Sequence, residues 1–204
     1  MVLEALPTVS SVRKMMPKPP PQVFELTVTL DGVEPAIWRR LLVPANLTLP
    51  RVHRLLNEVM GWTNSHLHAF EVEGRRFEDP TLSDGCRKEV DDERRVRLSQ
   101  LVVPGQSLRY EYDFGDGWTH TVEVEDIREA DPLIQLPACV AGARACPPED
   151  CGGPLGYADL LEALQDERHP EHETLTRWVG GTFDAEGFDL NRTNAALRRL
   201  RSRT

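Results

Sequence analysis

Long apolar segments are missing from this sequence. None of its 204 residues belongs to a stretch approaching the roughly 20 consecutive apolar residues that a transmembrane helix requires. Residues 1–21 also lack the continuous apolar core of a secretory signal and end in consecutive prolines, so they predict a disordered, proline-rich lead-in. We therefore expect a cytoplasmic protein without membrane contact.

Basic charge and cysteine are both scarce. Lys and Arg total 24 against 33 Asp and Glu, which gives a formal net charge of −9. Broad electrostatic binding of nucleic acid is not expected, because clustered basic side chains supply most of that affinity. The four cysteines are expected to be thiols rather than a disulfide framework, since a chain this long buries a core without such support.

Hydrophobic periodicity divides residues 22–204 into a strand-rich part and a helical part. Period-two alternation predicts strands over 24–30, 36–43, 66–72, 108–114 and 118–125. Helical spacing predicts one early helix between Thr48 and Gly61, and C-terminal helices over 157–164, over 170–179 and after Asp189. Residues 132–156, rich in proline, glycine and cysteine, predict no regular element.

The order of these segments predicts the fold class. Strands precede helices instead of alternating with them, which favours an α+β protein over an α/β protein. The prediction is one domain with a mainly antiparallel sheet, an early amphipathic helix and a C-terminal helical cluster. The strongest local signal is the hairpin over 108–125, in which Gly115-Asp116-Gly117 forms a tight turn.

Short motifs along the chain resemble those of a known family. They are IWRR at 37–40, MGW at 60–62 with HL at 66–67, YEYDFGDGWTH at 110–120, CPPEDCGGPLGY at 146–157 and FDAEGFDL at 183–190. In this order the set resembles the plasmid pRi ORF-three-like family, some of whose members are labelled insertion-element passenger or TnpR-like proteins. The resemblance covers about residues 24–200. It implies a compact α+β domain and an association with plasmids or mobile elements, and it implies no particular activity.

Two activities suggested by labels or short motifs lack support in the rest of the chain. A serine recombinase needs a nucleophilic serine among arginines and a DNA-binding helix-turn-helix. The serines at positions 10, 11, 65, 83, 99, 107 and 202 have no such setting. Asp113-Phe114-Gly115 spells the metal-binding triplet of protein kinases, but the glycine-rich phosphate loop and the catalytic-loop aspartate are missing.

Four carboxylates and one histidine offer the chemistry of a metal-assisted hydrolase. Asp113 and Asp116 belong to the hairpin, and Glu149 and Asp150 belong to the loop over 146–153. If the loop folds over the hairpin, their oxygens could converge on Mg²⁺ or Ca²⁺, with His120 as acid or base. Alternatively, one of the carboxylates could act as a general base beside His120. The alternative is that the carboxylates bond to turn and helix-end amides while His120 is a buried, neutral core residue.

A zinc site is a second metal hypothesis. Cys139, Cys146 and Cys151 lack the two-residue spacing of zinc fingers, but three thiolates with His120 or Cys86 could still surround zinc. In the family that the chain resembles, the position of Cys151 need not be cysteine, which weakens a three-thiolate site. The histidines at 66 and 68 share one predicted strand face and form another candidate pair. No cofactor is predicted as required; zinc and magnesium stay hypotheses.

A non-catalytic binding module is the function that the sequence favours. The predicted surface combines aromatic faces with glycine backbone and consists of Tyr112, Gly115, Gly117, Trp118, Gly152, Gly153 and Tyr157. Such aromatics stack on peptides or on bases, so the unknown partner is a peptide or a specific nucleic-acid feature. Strand alternation favours a core position for these aromatics, and Trp118 is the best candidate for exposure because it follows the turn. Binding ranks above the hydrolase because spacing assembles no complete catalytic constellation.

Overall fold

The computed structural model describes residues 21–82 and 90–202 of the chain. Residues 1–20 of the predicted lead-in and Cys86 lie outside these described residues. Within them the strands are β1 (Gln22–Leu30), β2 (Ile37–Pro44), β3 (His68–Val72), β4 (Arg75–Glu78), β5 (Asp91–Asp92), β6 (Ser107–Tyr112), β7 (Trp118–Glu129) and β8 (Ala138–Ala143). The helices are α1 (Leu49–Met60), α2 (Gly153–Gln165), α3 (His172–Trp178) and α4 (Leu190–Ser202).

The strands form one sheet in the order β5-β4-β3-β6-β7-β1-β2-β8. Neighbouring strands pair antiparallel except for the short parallel contact of β4 with β5. The predicted hairpin, β6–β7, and the predicted pair, β1–β2, lie next to each other in this order. The α+β class with a mainly antiparallel sheet and C-terminal helices is confirmed.

One face of the central strands is buried. Along β7, buried Trp118, His120, Val122 and Val124 alternate with more accessible residues, because successive side chains of a strand point to opposite faces. The buried side of α1, which belongs to the same core, includes Leu49, Val52, Leu55, Leu56 and Val59. Gly61 ends α1 with a left-handed φ of 90°. Among the described residues, no helix has the length and apolar character that a membrane crossing requires.

Residues 132–156 contain more regular structure than the sequence predicts. β8 pairs with β2 at one edge of the sheet, and α2 begins at Gly153, ahead of the predicted start at Tyr157. The β8 sequence ACVAGA has no polar residues to alternate with apolar ones, so the period-two signal is absent. Its small residues serve close packing, since a Cβ on Gly142 would lie 2.7 Å from Phe188 Cζ.

Candidate functional site

The turn between β6 and β7 and the loop over 146–153 are in direct contact. Gly152 N donates a hydrogen bond to Asp116 Oδ2 at 3.1 Å. Gly153 approaches the turn even more closely, because a Cβ at this position would lie 2.2 Å from Asp116 O. The φ of Gly153 is 69°, a value that glycine adopts without strain. The loop therefore folds over the hairpin turn, as the carboxylate hypothesis required.

Glu149 anchors this loop to the core. Its Oε1 accepts hydrogen bonds from the Tyr112 hydroxyl at 2.6 Å and from Thr63 N at 3.1 Å, and its Oε2 accepts one from the Thr63 hydroxyl. Burial raises the pKa of Glu149, but these hydrogen bonds favour the ionised form and leave the pKa below its ordinary value. Beside it, the Trp62 indole donates to Pro147 O at 3.0 Å. Glu149 is thus a structural carboxylate with both oxygens engaged.

Asp113 uses its two carboxylate oxygens differently. Oδ1 accepts hydrogen bonds from Gly115 N at 3.0 Å and from Asp116 N at 3.3 Å, and the Asp113 carbonyl accepts one from Gly117 N at 2.6 Å. These bonds close the turn. Oδ2 lies 3.5 Å from His66 Nδ1, on the side away from the turn amides. One oxygen of Asp113 is therefore structural, and the other belongs to a cluster with His66.

His66 connects Asp113 to Asp150. His66 Nε2 lies 3.3 Å from Asp150 Oδ1. One ligand atom from each of these three residues lies within 4.8 Å of the other two, and the described parts of the chain contain no second group of this kind. Asp116 and Glu149, predicted as ligands beside them, are outside the group. The arrangement has the donor types that a divalent cation requires.

A cleft with a volume of about 600 Å³ lies beside this cluster. Its lining includes two leucines, Leu67 and Leu82, which are 41% and 57% exposed. Charged lining groups come from Arg54, Asp79, Asp113 and the buried Glu93. The cleft therefore combines accessible apolar surface with carboxylates.

A buried polar network underlies the cleft. His53 Nδ1 lies 2.7 Å from the Tyr110 hydroxyl, which also accepts a hydrogen bond from Asn57 Nδ2 at 2.9 Å. On its other side His53 Nε2 contacts Asn64 Oδ1, and the ring stacks on His68 with 3.4 Å between centroids. Burial, and secondarily the charge of His68, lower the pKa of His53 to about 3. The His53 ring is therefore neutral at pH 7.

The same network contains a carboxylate that sequence reasoning missed. Glu93 is 1% exposed, and its Oε2 lies 3.0 Å from His68 Nε2. Its sequence neighbourhood is charged and has no periodicity, so nothing marks it as buried. His53 and Asn57 were also missed, although a signal existed: they stand four positions apart on the apolar side of α1. Polar residues at such positions are unusual and indicate a buried network.

The aromatic side chains of the predicted binding surface lie in the core. Trp118, the best candidate for exposure, is only 1% exposed, and Tyr112 and Tyr157 are buried to a similar degree, so the core position that strand alternation favoured is the one observed. Strand phase explains this result: Trp118 is the partner of Tyr112 across the hairpin, and Trp62 stacks on Tyr112 at a centroid distance of 4.8 Å. Of the predicted glycines, solvent reaches Gly115, Gly117 and Gly152, whereas Gly153 is buried.

His120 is enclosed in the core. It is 0% exposed, and its Nδ1 lies 3.3 Å from Tyr110 O. Burial lowers the pKa of His120 to about 3. His120 is thus a buried, neutral core residue, which was the alternative to the hydrolase hypothesis. A ring enclosed in the core does not suit the acid or base role that the hydrolase hypothesis gave it.

The three predicted cysteine ligands are protonated thiols. Cys139 Sγ donates to Ala141 O at 3.3 Å. Burial raises the pKa of Cys139 to about 11 and the pKa values of Cys146 and Cys151 to about 12. Across residues 21–82 and 90–202 these thiols form no group of three converging ligand atoms.

The fold places this chain in the α+β class of proteins. This chain combines an α+β fold with a mainly antiparallel sheet, C-terminal helices and a polar cleft beside a glycine-rich turn. The chain belongs to the family described as plasmid pRiA4b ORF-3-like protein, whose family model matches residues 22–192. This result confirms the resemblance drawn from the sequence motifs.

Two relatives share most of the chain. An uncharacterised protein, y4hQ, from Sinorhizobium fredii (strain NBRC 101917 / NGR234) is 38% identical over 182 residues, which cover 86% of this chain and 90% of the relative. The crystal structure of MM3350, a protein of unknown function from Methanosarcina mazei Go1, is similar with a TM-score of 0.76 and 35% sequence identity. The similarity covers 84% of this chain and 97% of MM3350.

Proposed function

We propose that this chain is a non-catalytic binding module whose cleft binds a peptide with a basic side chain next to an apolar one. The composition of the cleft carries the proposal: exposed Leu67 and Leu82 line it together with the carboxylates of Asp79 and Asp113. An apolar side chain of the peptide would cover the leucines, and Lys or Arg would pair with the Asp79 carboxylate.

Electrostatics favour a peptide over a nucleic acid. Among the described residues lining the cleft, the carboxylates of Asp79, Glu93 and Asp113 outnumber the single guanidinium of Arg54. The whole chain carries a net charge of −9. Phosphate groups meet repulsion at such a surface, since nucleic-acid affinity derives largely from Lys and Arg. A cationic peptide meets attraction.

Hydrogen bonding of the carboxylates favours binding over hydrolysis. Asp116 and Glu149 hold the loop over 146–153, and Asp113 uses one oxygen to close the turn. His120, the predicted acid or base, is buried in the core. These bonds stiffen the wall of the cleft, and a rigid wall lowers the entropic cost of ligand binding.

Selection from a displayed peptide library tests this function. We expect wild-type protein to enrich peptides that place Lys or Arg beside an apolar residue, and Leu67→Asp to lose them. Leu155→Asp is the matched control, because Leu155 is 82% exposed on α2 and is not a cleft residue. Equal enrichment by Leu67→Asp and wild type, or no enrichment above an unrelated immobilised protein, would contradict the proposal.

A metal-assisted hydrolase is the second candidate, and the cluster of His66, Asp113 and Asp150 is the observation that favours it. Three protein ligands with an open position are the usual arrangement of a catalytic metal. A screen of chromogenic phosphoesters with Mg²⁺, Mn²⁺ or Zn²⁺ tests this candidate. Turnover that Asp150→Asn abolishes would replace the binding module with the hydrolase, and absence of turnover would leave the binding module.

A further inference from the structure

We propose that His66, Asp113 and Asp150 bind one divalent transition-metal ion at the rim of the cleft, a site that goes beyond peptide binding and does not depend on it. The donors are one imidazole nitrogen and two carboxylate oxygens, mutually within 4.8 Å. Ions such as Zn²⁺ bind these atoms at about 2.0–2.2 Å. Small side-chain adjustments therefore suffice for all three donors to contact one ion.

The second oxygen of Asp113 is the one available for coordination. Asp113 is only 8% exposed, and the hydrogen bonds to its carboxylate from described residues all reach Oδ1. Oδ2 has only the ionic contact with His66, at 3.5 Å. Oδ2 is therefore not engaged by the turn and faces the cleft that Asp113 lines, where it can coordinate an ion together with His66 and Asp150.

The donor set selects a class of metal. Imidazole suits Zn²⁺ and its first-row neighbours, whereas Mg²⁺ prefers oxygen ligands and retains several waters. His66 therefore favours a zinc-type ion over magnesium. The Asp150 side chain is 72% exposed, so water or a group from a second molecule can reach the coordination positions that the protein leaves open.

Titration of the metal-free full chain with Co²⁺ and Zn²⁺ tests the site. Co²⁺ reports its ligands by absorption: nitrogen and oxygen donors give visible bands, while thiolates add a charge-transfer band in the near ultraviolet. We expect one equivalent of Co²⁺ without the thiolate band, displaced by Zn²⁺. His66→Ala and Asp150→Asn should each weaken Co²⁺ binding by at least about tenfold, the lower end of the loss seen even for outer-shell partners.

The variants separate loss of the metal from loss of the fold. Asp150 has a φ of 58°, a conformation that asparagine adopts readily, so Asp150→Asn retains the backbone. His169→Ala is the matched histidine control, because His169 lies between α2 and α3 outside the cluster. Absence of binding at millimolar Co²⁺, a thiolate band, or equal affinity of wild type, His66→Ala and Asp150→Asn would each overturn the proposal. None of these results depends on whether a peptide binds.

Discussion

Three residues near the cleft share an uncommon backbone conformation. Asn64, Asp113 and Asp150 have φ values of 63°, 57° and 58°, in the left-handed region that few residues other than glycine occupy. Such residues persist where their surroundings hold them in place. The turn amides hold Asp113, and His53 contacts Asn64. Asn64 and Asp113 are thus held in this conformation by contacts within the protein.

Gly153 is the residue on which the contact between loop and turn depends most. We expect Gly153→Ala to lower the free energy of unfolding by about 3 kcal/mol, because the new methyl group must displace Asp116 O and the positive φ becomes strained. Urea denaturation measures this change.

Gly117→Ala is the control that measures the cost of the positive φ by itself. Gly117 has the same φ of 69°, but an added Cβ there meets no atom within 4 Å. We expect a cost of about 1 kcal/mol from φ alone. Equal costs for the two substitutions would show that the close approach at Asp116 is not what restricts position 153 to glycine.

At the scale of elements, β8 is held to α4 by a side-chain clasp. Asn194 Oδ1 accepts a hydrogen bond from Cys139 N at 3.0 Å, and Asn194 Nδ2 donates to Cys139 O at 2.8 Å. The amide of Asn194 therefore supplies Cys139 with both hydrogen bonds that a neighbouring strand would otherwise provide. This clasp covers part of an edge strand, which would otherwise offer unpaired groups to another chain.

We expect Asn194→Ala to destabilise the protein by about 2 kcal/mol, because it leaves the backbone groups of Cys139 without partners. Asn191→Ala, on the exposed side of the same helix, serves as control and should change stability by less than about 0.5 kcal/mol. Thermal unfolding of the two variants side by side gives the comparison. A similar loss in both would indicate a helix-propensity effect instead of the clasp.

The elements also divide clearly into those that the sequence predicted and those that it did not. The β6–β7 hairpin alternates apolar and polar residues, and α1 repeats apolar residues at helical spacing. Burial of one face of each element is therefore visible in the sequence. β8 is short and made of small residues, and β5 has only two, so tertiary pairing forms them without such a pattern. The cleft was unpredicted for a related reason: Glu93 and His68, which line it, are 25 positions apart in sequence, a separation that periodicity does not register.

At the scale of the whole molecule, stability should depend on pH through two buried histidines. The pKa values of His53 and His120 are lowered to about 3, mainly by burial, against about 6.5 in the unfolded chain. The unfolded state therefore binds more protons between these values. The stabilisation is complete above pH 6.5 and is lost progressively as pH falls towards 3.

Both histidines together should give a slope of about 3 kcal/mol per pH unit in the middle of this window. Urea denaturation at intervals between pH 7 and pH 4 measures the slope. His53→Gln should halve it, whereas His169→Ala should leave it unchanged. A free energy of unfolding that is constant from pH 6.5 to pH 5 would contradict the neutral, buried state of these rings.

Amide NMR on the full chain tests most directly whether the cleft is the place where the molecule binds its partner. Labelled protein is titrated with a Lys- or Arg-containing peptide enriched by the selection. The cleft account predicts that shift changes concentrate at residues 64–68 and 113–115 and disappear in Leu67→Asp. Changes centred on α2 around Leu155, or spread evenly over the acidic surface, would contradict it.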